Sequence, residues 1–340
     1  MSRGGPPIGI LGAGSFGTAL AVHAAGQGLA VRLWARDPET AALLTASRRN
    51  EAYLPGVELP AGLEVTSDLG AVASCEPILA VVPSHGMRAI ARKLLALCTP
   101  DRRYTLVSAS KGIETEGQAR MSEVLRQEAE AAGRAVDVAC LSGPTFAGEL
   151  ARGVPSAAVV ACETSEIARR LCAQFAGAAL RLYSSTDLVG VELGGATKNV
   201  IAIGAGMIHG LGLGHNTMAA LVTRGLHELA RLGVACGGRL ETFSGLAGLG
   251  DLVLTCTGGA SRNRQAGIAL AAGKSLDEIR AQTRTVAEGL TNARSVALLA
   301  ARLELEMPIT EQMNAVIYGG KSPARALGEL MARDLKAEAE

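Results

Sequence analysis

At 340 residues, 48% of them apolar, the chain is long enough for two domains and too rich in core-forming side chains for global disorder. A net charge of +1 and 3% aromatics argue against nucleic-acid binding, a basic membrane face or a base-stacking platform. Seven scattered cysteines, odd in number and without a CxxC, point to free thiols in a reducing cytosol, and five histidines without ligand spacing indicate no metal site.

The opening MSRGGPPIGILGAG has too short an apolar stretch for a signal peptide and runs straight into a strand-turn pattern. Ile8–Leu11 reads as a buried strand, followed by Gly12-Ala13-Gly14-Ser15-Phe16-Gly17, a helical run over Thr18–Gln27 and a second strand at Ala30–Ala35. This is GxGxxG in the context it needs. Gly12 allows the turn, Gly14 lets backbone approach a pyrophosphate, Gly17 lets the helix pack on the strand, and the helix N-terminus favours anions. A Rossmann-type dinucleotide-binding half is expected. The second strand ends at Trp34-Ala35-Arg36-Asp37. Arg36 is either a solvated loop cation or the partner of a 2′-phosphate, which tilts the reading from NAD toward NADP; Asp37-Pro38 opens the next helix as cap and first-turn proline.

Short strands follow at Leu63–Thr66, Pro77–Val82 and Thr105–Ser108, with Ser67-Asp68 capping a short helix and another helix running to about Leu97. The strand-end loops Pro83-Ser84-His85 and Ala109-Ser110-Lys111-Gly112 should face the cofactor cleft, because ligands of parallel sheets sit beyond the carboxyl ends of the strands. A capping serine beside a surface His85, and a turn lysine at Lys111, are the plainer alternatives. Val136–Leu141 leads into Ser142-Gly143-Pro144-Thr145-Phe146-Ala147, either a tight turn or a loop offering N–H groups to a ligand. Ala157–Ala161 and Leu180–Ser184 flank the helix Ser165–Gln174. After Asp187 strand signals stop. The expected architecture is an α/β Rossmann-type domain over residues 1–188 and an all-α domain over 189–340.

The segment Asp187–Ile208 is apolar almost all round and should be a buried helix, yet it carries Lys198 beside Asn199. Lys198 is either a lysine reaching out to the surface or an active-site amine with a tunable proton. The uncharged run Asn199–Thr223 is broken by glycines, His209, His215 and Asn216, so it is not read as a membrane span. Asp251 is the one charge between Glu241 and Arg262, and Lys198 is its natural partner. Ser261-Arg262-Asn263-Arg264 opens a helix after glycines, which suits a phosphate or, more simply, a capped helix with surface arginines.

Together these segments resemble the bacterial NAD(P)-dependent glycerol-3-phosphate dehydrogenases. The resemblance runs through GAGSFGTALA, YLPG, VVPSH, SKGIE, SGPTFA, ELGGATKNVIAIGAG, AALVTRGLHE, FSGLAGLGDLVLTC, SRNR and VAEG, in order and over nearly the whole chain. It implies cofactor contacts from Ser15, Phe16, Arg36, Lys111, Ala147, Arg262, Val286 and Glu288. It implies a substrate site lined by Lys111, Gly143, Thr145, Asp251, Ser261, Arg262 and Asn263. Lys198 would carry the proton, with Asp251 orienting it and Asn199 and Thr255 in support, while hydride passes between NAD or NADP and dihydroxyacetone phosphate, feeding phospholipid synthesis in the cytoplasm. A homodimer is expected by analogy of fold. The chain departs from the family pattern at His209, His215 and Met218, where two acids and a lysine are usual. The rivals are a hydroxyacid or phosphogluconate dehydrogenase of the same build, and a nucleotide sensor without turnover.

Overall fold

The structure, a computed structural model, describes residues 5–282, 286–335 and 337–338, so the first four residues of the opening segment lie outside it. Ten strands come first: β1 (Ile8–Leu11), β2 (Val31–Trp34), β3 (Arg49–Asn50), β4 (Leu54–Glu58), β5 (Leu63–Thr66), β6 (Ile78–Ala80), β7 (Tyr104–Ser108), β8 (Val136–Ser142), β9 (Ser156–Cys162) and β10 (Leu180–Ser185). Between them run α1 (Ser15–Gly26), α2 (Pro38–Ser47), α3 (Leu69–Ala73), α4 (Met87–Leu97), α5 (Met121–Ala131), α6 (Ala147–Ala151) and α7 (Ser165–Phe175). Among the described residues every later element is a helix: α8 (Leu188–Gly210), α9 (His215–Ala235), α10 (Leu240–Phe243), a π-helical turn (Leu246–Gly250), α11 (Asp251–Thr257), α12 (Arg262–Ala271), α13 (Leu276–Gln282), α14 (Glu288–Arg302), α15 (Pro308–Gly319) and α16 (Pro323–Met331). None of the described helices is long and apolar enough to cross a membrane.

Eight strands form one sheet in the order β10-β9-β8-β7-β6-β1-β2-β5, and β3 and β4 make a separate hairpin. The chain lays β2 and β5 on one side of β1, then returns to put β6 on the other. The crevice between the carboxyl ends of β1 and β6 is therefore the topological switch point where such sheets hold ligands. Two apolar clusters cover the two faces of the sheet, one built on α1 and α7, the other on α4 and α5. The expected strands are present with ends shifted by a residue or two. The first helix starts at Ser15 rather than Thr18, because Gly14 in extended backbone already serves as its cap. Helices α5 and α6, the β3–β4 hairpin and the antiparallel pairing of β8 with β9 went unread in the sequence. The β8–β9 link carries only the short α6, so the strand folds straight back instead of crossing over.

Helix α8 is the axis of the helical half, buried from Gly190 to Ile208. Its glycines allow close contact: a Cβ on Gly206 would stand 2.8 Å from the Cα of Gly267 in α12. The halves meet across a small apolar seam of Cys140, Ala161, Leu188, Val191 and Ala247. A buried ion pair reinforces the seam, with Arg120 donating to Glu192 of α8 at 2.8 Å and the Ser122 N–H reaching the same carboxylate at 2.7 Å.

Candidate active site

The glycine turn after β1 is shaped partly by the chain and partly for something outside it. Gly12 has φ +112°, and a Cβ there would lie 2.6 Å from the Val81 carbonyl, so the fold itself requires glycine. Gly17 is equally constrained, since its Cβ would press on the Gly12 carbonyl. Gly14 differs. Its φ is −75°, and nothing lies within 4 Å of a Cβ built on it. Its N–H has no partner among the described residues. An open glycine with a free N–H at the start of α1 fits a pyrophosphate laid against the helix N-terminus. Phe16 and Ala147 lie half-buried at the rim of the core cluster that also takes in Ala13, beside this turn. Arg36 is exposed beyond β2 and makes no hydrogen bond or ion pair among the described residues. Its neighbour Asp37 caps α2 through Thr40, which holds its carboxyl below the usual range. The acid at this strand end is therefore committed, and the free charge is the guanidinium.

Deeper in the cleft, Asp251 is 1% exposed and bridges two ammonium groups. Lys198 Nζ donates to its Oδ1 at 2.6 Å and Lys111 Nζ to its Oδ2 at 2.6 Å. The pair of Lys198 with Asp251 is the one the isolated charges point to; the second lysine comes from the other half of the chain. Lys198 also donates to Thr255 Oγ1 at 2.6 Å, and that hydroxyl donates to the Asp251 carbonyl at 2.6 Å, which fixes its direction. Lys111 donates to the Gly143 carbonyl at 2.9 Å, bringing the β8 loop into the site, and Thr145 Oγ1 donates to the same oxygen at 3.2 Å. Each ammonium thus keeps one N–H without an acceptor among the described residues. Burial pulls the Lys198 pKa down to about 8; Asp251 opposes that and the Lys111 charge adds to it.

A chain of amides backs this core. Gly289 N–H donates to Asn263 Oδ1 at 2.9 Å, Asn263 Nδ2 to Asn199 Oδ1 at 2.8 Å, and Asn199 Nδ2 to the Lys111 carbonyl at 3.1 Å. Asn292, which is fully buried, reaches the same carbonyl at 2.9 Å. Asn199 and Asn263 therefore spend much of their side-chain capacity on holding the Lys111 loop to the helical half. Ser261 caps α12 by accepting from the Arg264 N–H at 3.2 Å. Arg262, beside it, is exposed and without hydrogen bond or ion pair among the described residues. Desolvation lowers its pKa somewhat, while Glu288 nearby opposes the shift. The Glu288 carboxylate itself is taken by Ser84, through the backbone N–H at 2.9 Å and the hydroxyl. Burial raises its pKa despite these bonds.

Lys111, Gly143, Thr145, Lys198, Asn199, Asp251 and Asn263 thus fall into one bonded cluster, with Ser261 and Arg262 next to it in sequence. Gly12, Gly14, Ser15, Phe16, Gly17 and Ala147 gather around the turn after β1, Arg36 is exposed two residues past the end of the neighbouring β2, and Val286 is half-buried just before α14. His85 is exposed, but Ser84 beside it caps no described helix: its hydroxyl donates to Glu288. Sequence reading passed over Asn292 and the bond of Ser84 to Glu288, neither of which has a periodic or charge-pattern signal.

The chain is similar to known proteins over nearly its whole length. Residues 7–168 match the family described as NAD-dependent glycerol-3-phosphate dehydrogenase N-terminus, and residues 187–328 match its C-terminus. A protein of Thioalkalivibrio sulfidiphilus named glycerol-3-phosphate dehydrogenase [NAD(P)+] is 49% identical, over 98% of this chain and 99% of its own length. A protein of Geobacter sp. with the same name is 48% identical, over 97% and 98%. The crystal structure of glycerol-3-phosphate dehydrogenase from Coxiella burnetii superposes with a TM-score of 0.91 at 39% identity, covering 96% of this chain and 99% of that one. The chain belongs to the NAD(P)-dependent glycerol-3-phosphate dehydrogenase family.

Proposed function

We propose that the chain interconverts dihydroxyacetone phosphate and sn-glycerol 3-phosphate with NAD(P)H, and that the cluster around Asp251 is its active site. The carrying observation is one buried carboxylate bonded at 2.6 Å to two ammonium groups from opposite halves of the chain. Such a centre carries a net positive charge and two unspent N–H groups, which suits an alkoxide forming at C2 of the triose. NAD(P)H, when bound, supplies the hydride. Lys198 supplies the proton to the C2 oxygen in reduction and recovers it in oxidation, with Asp251 and Thr255 holding its amine in place. Lys111 polarises the same oxygen. Arg262 and the first turn of α12 hold the phosphate, whose binding energy draws the halves together and excludes water. Arg36 meets a 2′-phosphate, giving NADP the advantage over NAD. The free thiols accord with a cytoplasmic enzyme supplying phospholipid synthesis. We read it as a homodimer whose domains join near residue 188, just past the last strand.

The test is the loss of NADH or NADPH absorbance with dihydroxyacetone phosphate. Rapid oxidation is expected, faster at low concentration with NADPH, and absent with hydroxyacid or phosphogluconate pairs. Lys198→Met should lose roughly three orders of magnitude in kcat, the scale of a general acid, with cofactor Kd nearly unchanged. A Met variant that kept most of its kcat would remove Lys198 from the proton role.

A further inference from the structure

The β3–β4 hairpin, which lies outside the main sheet, sends one polar side chain under the glycine turn. Asn50 is 2% exposed, and its Nδ2 donates to the Ala13 carbonyl at 2.9 Å and to Thr18 Oγ1 at 2.8 Å. The hairpin that carries it is firmly anchored. Arg48, just before it at φ +53°, donates to the carbonyls of Leu59, Pro60 and Leu63, and Leu54, Val57 and Leu59 are buried in the core against α1. We propose that Asn50 is a positioning residue for cofactor binding, aiming the Gly14 N–H at the pyrophosphate. The argument is geometric and rests on reading the glycine turn as the cofactor's seat. The Ala13 C=O and the Gly14 N–H belong to one planar trans peptide, so they point in opposite directions. A side chain that holds the carbonyl turns the N–H to the opposite side of the peptide, and the space beside the Gly14 Cα is open, since beyond its chain neighbours an added Cβ would meet nothing within 4 Å. That N–H is the one without a partner among the described residues. Without Asn50 the peptide is free to rotate, and the donor must be ordered anew each time cofactor binds.

Asn50→Asp is the sharpest test. It keeps the shape but sets an oxygen against the Ala13 carbonyl, while the Thr18 hydroxyl can turn and donate to it. Kd for NADPH, measured by direct titration of nucleotide fluorescence, should rise about tenfold, the scale of one lost bond turned repulsive. KM for NADPH should rise with it, and kcat at saturating cofactor and KM for dihydroxyacetone phosphate should stay within about twofold. Asn50→Ala, which adds no charge, should show the same split to a lesser degree and serves if the Asp variant does not fold. Thr18→Val, which leaves the Ala13 bond intact, should change Kd little. A variant of Asn50 that melts at lower temperature yet binds NADPH with native Kd would overturn the proposal, as would an equal loss in Thr18→Val. Gly14→Val separates this from the underlying reading: if it abolishes binding while Asn50→Asp and Asn50→Ala do not weaken it, only the positioning role fails, and if Gly14→Val binds normally the seat itself is wrong.

Discussion

In the proposed mechanism the chemistry turns on the charge of one amine. Lys198 sits with its pKa pulled down to about 8 by burial, against the attraction of Asp251 and with the help of Lys111. Reduction needs the ammonium as donor, and oxidation needs the free amine as acceptor. The kcat for reduction should therefore fall as pH rises through about 8, and the kcat for oxidation should fall as pH drops through the same value. Lys111→Met removes a neighbouring positive charge, so it should carry that crossover to higher pH even as it lowers both rates. Rate profiles in the two directions check this, and parallel alkaline losses in both would exclude Lys198 as the proton carrier. How much of the site could be read beforehand depends on the kind of residue. Lys198 and Asp251 stand out because each is a lone charge in an apolar run, and such charges must find each other. The bond of Lys111 to Asp251 was not legible, because a lysine among serines and glycines looks like any loop lysine. Asn50 and Asn292 act through single amides on carbonyls far away in sequence, and no pattern of neighbours announces that.

At the scale of elements, the helical half has its own buried carboxylate. Glu228 of α9, 4% exposed, accepts the N–H groups of Ile309 and Thr310 and the Thr310 hydroxyl, so it caps α15 from a neighbouring helix. Burial drives its pKa up to about 7, with those hydrogen bonds opposing the shift. A carboxyl raised in the folded state favours folding while protonated. Its contribution is fully present below its unfolded value of 4.5 and is lost as pH rises through about 7. Glu228→Gln keeps an acceptor for the cap and has no charge to bury. Its stability relative to the native protein should therefore climb between about pH 5 and about pH 8, by up to the order of 3 kcal/mol. Urea unfolding at the two pH values measures it, and a constant difference would mean that Glu228 ionises as freely folded as unfolded. Most elements were legible because their cues are local: Asp37, Asp68 and Ser261 stand where caps belong, β6 is a continuous apolar run, and β7 is rich in β-branched and aromatic residues. The β3–β4 hairpin was not, since β3 is two residues long and its register shifts at once. The reversal of β9 was not either, because strand composition does not encode the direction of its partner.

At the scale of the whole molecule, the proposed active site exists only while the halves stay together, since Lys111 and Asp251 come from different ones. Part-buried polar bonds hold them: Arg120 with Glu192, Ser84 with Glu288, Thr115 with Ser295, and the Lys111 carbonyl with Asn199 and Asn292. The first is the most exposed to loss. Glu192 is buried in α8 and accepts from Arg120 and twice from Ser122, so its removal leaves the guanidinium with Glu123 at 2.9 Å and the Ser122 hydroxyl at 3.1 Å. The chain offers a built-in reporter, because its single tryptophan, Trp34, lies in β2, while most of its helix lies beyond residue 187. In the native protein the urea transition followed by Trp34 fluorescence should coincide with that followed by far-UV circular dichroism, which two-domain chains do not show unless their halves are strongly coupled. Glu192→Ala should destabilise by about 3 kcal/mol, the cost of breaking a buried pair on one side, and should part the two midpoints. It should also depress kcat more than cofactor binding, because the glycine turn belongs wholly to the first half and the lysine pair does not. Midpoints that already differ in the native chain would mean that the halves fold independently and that the site is assembled by ligands rather than by the fold.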